Sequence, residues 1–134
     1  MEKRRDLVRR LAGALSGLLA VGGAAGCELP PGVRVEGGRV AVSYRTVPAV
    51  IEVGKPFVLE IAACPTGAGP ANPGRVRLDA HMPAHRHGMN YRVKVVPLPD
   101  GRYRSEGWLF HMPGQWEFVF EIGSERLTHR VRIE

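Results

Sequence analysis

Residues 81–89 read His-Met-Pro-Ala-His-Arg-His-Gly-Met and hold three of the chain's five histidines and two of its four methionines. Imidazole nitrogen and thioether sulfur together suit a soft or borderline transition metal, copper above all. Residues two apart in an extended chain project to one side, so His85 and His87 can present both imidazoles to one ion, and His81 shares their parity. Pro83 and Gly88 interrupt regular strand pairing and free the segment to wrap. Met82 and Met89 offer sulfur. The tripeptide His-Met-Pro recurs at 111–113, so His111 and Met112 are a second pair of ligands at a second turn. Sulfur favours Cu(I), and imidazole favours Cu(II) or zinc. The expected ligands are His81, His85, His87 and Met89, with Met82, His111 and Met112 in second rank. Zinc is the competitor, although structural zinc sites use Cys and His and seldom Met. If no metal binds, the stretch is a polar contact loop, and the protein is an interaction module for a membrane or respiratory complex.

Other chemistry is poorly served. There is no Ser-centred elbow and no phosphate-binding Gly loop. The carboxylates are scattered, without a paired acid and base. A hydrolytic zinc site wants a Glu as base, and the nearest candidate, Glu106, is far along the chain. The expectation is a carrier or sensor, not an enzyme. His129 stands alone in an alternating run and reads as a core or sheet-face histidine. Trp108 and Trp116 read as core packing. The formal charge is +6, but residues 1–26 hold five basic and two acidic residues. The remainder carries 14 basic and 11 acidic residues, a net +3. Those bases are scattered and have no aromatic stacking platform among them, which argues against nucleic acid as a partner.

The elements that must position the His/Met stretch alternate with period two. Val40, Val42 and Tyr44 share one face, as do Phe57, Leu59 and Ile61, and then Val76, Leu78 and Ala80, whose strand runs into the stretch. Residues 64–74 contain three Pro and three Gly and form a loop. Tyr91–Val96 and Arg102–Phe110 flank Asp100-Gly101, a strong hairpin signal. In the second run, Trp108 and Phe110 take the face opposite Tyr103. Trp116, Phe118, Phe120 and Ile122 alternate without a fault. Gly123-Ser124 is a tight turn before Leu127, His129, Val131 and Ile133. About seven short strands with regular turn signals, and no amphipathic helix, predict an all-β, immunoglobulin-like β-sandwich. Trp116, Phe118, Phe120, Phe57, Leu59, Ile61, Val93 and Val95 are its expected core.

The N-terminus has the parts of an export signal: a basic stretch at 1–10, an apolar segment at 11–25, then Ala24-Ala25-Gly26 before Cys27. The apolar segment is shorter than the ~20 residues of a spanning helix. Small residues directly before a cysteine resemble a bacterial lipobox, with Ala24 where Leu is usual, and predict lipidation of Cys27. Residues 1–26 are then the signal, 27–38 a Pro- and Gly-rich tether, and 39–134 the domain, held on the periplasmic side of the membrane. Cys64 is in that case a lone cysteine. Without lipid on Cys27, a Cys27–Cys64 disulfide would tie the tail to the sheet. Cys64 as a metal ligand is the third alternative, but no His follows it at blue-copper spacing.

The segment 76–122 resembles the YtkA-like family of exported bacterial domains. That resemblance rests on Met82-Pro83-Ala84-His85-Arg86-His87-Gly88, on Gly101-Arg102-Tyr103, and on Phe110-His111-Met112-Pro113-Gly114-Gln115-Trp116. It implies an immunoglobulin-like sandwich. It also implies copper handling or assembly of respiratory oxidases, with which family members are often linked.

Overall fold

The computed structural model of the chain describes residues 27–67 and 69–134. They form nine strands and, among the described residues, no helix. In chain order these are β1 (Val33–Glu36), β2 (Val40–Val47), β3 (Pro56–Pro65), β4 (Val76–Met82) and β5 (His87–Gly88), followed by β6 (Lys94–Leu98), β7 (Arg102–Leu109), β8 (Gly114–Ile122) and β9 (Glu125–Ile133). One sheet has the order β1-β2-β3-β7-β6 and the other β5-β4-β8-β9. Every pairing is antiparallel. With β1 set aside, this is the ABED sheet of an immunoglobulin-type sandwich facing a CFG sheet extended by a short C′ strand. The all-β sandwich expected from the alternation is the observed fold. The two strands beyond the expected seven are β1 and β5.

The core lies between the sheets. Phe57, Leu59, Ile61, Trp116, Phe118 and Phe120 are all buried, with Trp108 and Phe110 beside them. Trp116 stacks on Phe110 with centroids 4.3 Å apart and planes at 11°. Val93 and Val95, expected in the core, only pack against it half-buried, because the chain here forms an edge of its sheet. The alternation of β7 also carries a fault that the sequence pattern hides. Phe57 pairs with Trp108 and Leu59 with Ser105, so β7 has an extra residue in a bulge. Gly107 sits there at φ +91°, a conformation that a β-carbon disfavours. The bulge turns Tyr103, Ser105 and Trp108 to one face, not to two. The indole of Trp108 then donates to Ser105 Oγ at 2.9 Å, which satisfies both groups in the core.

The N-terminal part of the chain departs furthest from expectation. Residues 27–38 are not a tether. Val33–Glu36 pair with β2 as an edge strand, and Cys27 is bridged to Cys64 with Cα atoms 5.5 Å apart. Ser43 Oγ donates to the Pro30 carbonyl at 2.6 Å. This arm explains why β2 and β3 bury both of their faces: Ala41, Ser43, Ala62 and Cys64 point away from the core yet are buried. The prolines and glycines that suggest a linker are spent on an arm laid over the sheet. The expected export signal at 1–26 lies outside the described residues.

Candidate metal centre

Strand pairing brings the two His-Met-Pro copies together. Strands β4 and β8 run antiparallel, with Val76 opposite Ile122 and His81 opposite Glu117. The end of β4 therefore meets the start of β8, and the corner that precedes β8 carries His111 and Met112. After Met82 the chain reverses through a turn at residues 83–86. The backbone N–H groups of His85 and Arg86 both donate to the Met82 carbonyl, at 3.1 and 3.0 Å, and Arg86 takes φ +54°. The returning strand β5 sets His87 opposite Met82 and Gly88 opposite His81.

Three imidazoles form a row at this end of the sandwich. The rings of His85 and His87 are 5.7 Å apart, and those of His87 and His111 are 5.4 Å apart. His85 is exposed, and His87 and His111 are half-buried. Trp116 closes the row from below, its ring edge-on to His87 at 6.1 Å and to His111 at 5.5 Å. Its indole N–H donates to the Met112 carbonyl at 3.0 Å and so pins the 111–112 corner to β8.

Two nitrogens in the row have distinctive surroundings. Nδ1 of His87 lies 3.2 Å from the Gly88 carbonyl. A carbonyl only accepts, so Nδ1 carries the proton and Nε2 keeps its lone pair. This is the arrangement in which a histidine ligand is oriented through its second nitrogen. Nδ1 of His111 is buried without a hydrogen-bond partner, which costs on the order of 1–3 kcal/mol when nothing replaces the lost water. Two imidazoles on one ion, with metal–nitrogen bonds of about 2 Å, place their centroids roughly 5–5.5 Å apart at the tetrahedral angle zinc takes and roughly 4.5 Å apart at the right angle of a tetragonal Cu(II). The His87–His111 separation of 5.4 Å matches the tetrahedral value, and the His85–His87 separation of 5.7 Å slightly exceeds it. Among the described residues, no three His, Cys, Asp or Glu side chains gather around one point as a closed cage requires.

The remaining candidates lie elsewhere. His81 faces the opposite side of its sheet, where Nε2 stands 3.5 Å from Glu117 Oε1, and Glu117 in turn accepts from Arg130 Nε at 2.9 Å. The parity shared by 81, 85 and 87 holds for an extended chain, and the turn at 83–86 cancels it. Directly opposite residues of an antiparallel pair share a face, so it is Met82, not His81, that lies on the side of His87. Met82 is buried in the core, 1% exposed. Met89 and Met112 are partly buried and pack against the core. His129 is a sheet-face histidine, as expected, with Nδ1 2.6 Å from the Tyr44 hydroxyl. Both cysteine sulfurs are used in the bridge. A lipid thioether on Cys27 needs the same sulfur, so the bridged and lipidated forms exclude each other. Among the described residues no helix is long and apolar enough to cross a membrane.

Trp116 and the Gly88 carbonyl are the positioning groups that residue types alone do not reveal. A tryptophan in perfect alternation signals core, and nothing in that pattern says that its N–H will hold a loop. No protein-family model matches the chain, and no curated protein matches it.

Proposed function

We infer that this protein is a copper-binding carrier or sensor of the cell envelope, and not a catalyst. The observation that carries the reading is the His87–His111 pair, with centroids 5.4 Å apart and Nδ1 of His111 buried without a partner. An ion at this pair gives the lone pair of His87 a bond, and imidazole suits Cu(II) or zinc. His85 stands next in the row. Of the sulfurs, Met82 is packed in the core, and Met89 and Met112 are partly buried against it. A disulfide belongs to an oxidising compartment and supports an exported domain.

Copper uptake by the purified protein, measured by metal analysis after desalting, tests the reading. One Cu per chain is expected, with zinc as the competitor in the same assay. His87→Ala should lower the affinity at least about tenfold, since losing even an outer-shell partner of a metal ligand costs roughly 10–100-fold. The double variant His85→Ala/His87→Ala should take up none. Unchanged uptake in the double variant would overturn the site. No uptake by the wild type, with co-purification of a membrane protein instead, would favour the interaction-module reading.

A further inference from the structure

The three imidazoles are not equivalent, and their order suggests how an ion moves. We propose that His85, His87 and His111 form two overlapping two-histidine sites that share His87: an outer entry site with His85 and an inner holding site with His111. This rests on the copper-binding reading and deepens it. The rings follow in sequence at 5.7 and 5.4 Å, while no three His, Cys, Asp or Glu side chains among the described residues converge on one point. The row therefore offers two adjacent pairs, not one triad. The two ends differ in exposure: His85 is exposed, whereas His111 is half-buried like His87 and has a buried Nδ1.

The shared residue limits the row to one ion. Nδ1 of His87 donates to the Gly88 carbonyl, which leaves a single lone pair, on Nε2. The outer and inner sites cannot both be filled, so loading is a transfer. An ion arrives on His85 and His87. The nitrogen of His111 then adds, and that of His85 leaves. Only ligands are exchanged; no electron moves and the oxidation state is unchanged. The backbone supports this division. The turn carrying His85 is fixed by two N–H groups on the Met82 carbonyl, so its side chain can swing while its Cα stays in place. The corner carrying His111 is pinned through Trp116.

Stopped-flow exchange of Cu(II) tests the proposal, with Cu(II) supplied as its glycine complex, removed by EDTA and followed by quenching of tryptophan fluorescence. His85→Ala should slow both loading and removal about tenfold while the equilibrium affinity changes less than about threefold, since both directions pass through the same residue. His111→Ala should do the reverse, weakening affinity more than about tenfold through faster release. His111→Gln keeps a polar side chain at the half-buried position, and should behave alike if the alanine variant folds poorly. Equal losses of affinity in the His85 and His111 variants would overturn the relay in favour of one triad. Unchanged exchange rates in His85→Ala would remove the entry site. A wild-type protein that takes up no Cu(II) would remove the relay together with the copper reading, a result distinct from either.

Discussion

Nδ1 of His111 and the hydroxyl of Tyr44 are both polar atoms of residues set against the aromatic core, and they are treated differently. Tyr44 is buried and its hydroxyl meets Nδ1 of His129 at 2.6 Å. His111 has no such partner. Structural polar groups in a core are satisfied, so the unpaired nitrogen stands out against a hydroxyl that follows the rule. Burial pushes the Tyr44 phenol up to about 12 from its ordinary 10.0. The neutral phenol is therefore favoured in the fold, and between about pH 10 and 12 the unfolded chain has lost a proton that the folded chain keeps. The stabilisation is complete below pH 10 and is lost as pH rises through 12. Thermal melts across this range should show the wild type losing stability with a steeper slope than Tyr44→Phe. Equal slopes would mean that Tyr44 titrates normally. The residue scale also shows where sequence reasoning stops. His85 and His87 are legible as a pair because both lie on the short path from the turn into β5. His81 is not, because its parity depends on a chain reversal that residue spacing does not encode.

Element by element, the strands with apolar alternation were legible and the ones without it were not. Strand β5 is only two residues long and cannot show a period. Strand β1 lies among Pro30, Pro31, Gly32, Gly37 and Gly38, which suggest a linker when no partner strand is in view. The bulge at Gly107 leaves alternation apparently intact on either side while changing which residues share a face. The arm formed by β1 and the bridged Cys27 makes a measurable claim. The disulfide closes a sequence separation of 37 residues, and loop-closure entropy puts its contribution at about 3–4 kcal/mol. Cys27→Ser/Cys64→Ser should lower unfolding free energy by that order in urea denaturation. Amide exchange should accelerate first in Val33–Glu36, which pair with β2 alone in their sheet, while β8, paired on both sides, stays protected. Uniform acceleration through both sheets would mean that the arm is not a separable unit.

In the whole molecule, the direction of the strands separates two kinds of chemistry. Strand β3 ends at the bridge, where the β6–β7 hairpin also turns: a β-carbon on Gly101 would lie 3.8 Å from Cys27 Sγ. Strand β7 runs antiparallel to β3, so its far end, and with it the 110–113 corner, lies at the opposite end of the sandwich. The turn at 83–86 lies there too, because β4 is antiparallel to β8 and ends where β8 begins. One end is thus covalently closed and the other carries the imidazole row, with the packed aromatic core between them. Distant sites without shared partners act additively. The cysteine double variant should therefore melt lower but still take up one Cu per chain with affinity within about twofold of the wild type, because the strand ends that hold His85, His87 and His111 are set by β4, β7 and β8 and not by the arm. Copper should in turn raise the melting temperature of wild type and cysteine variant by similar amounts, since an ion bound only to the folded state stabilises it according to its affinity and concentration. Copper affinity that fell with loss of the bridge would show that the two ends are coupled through the core.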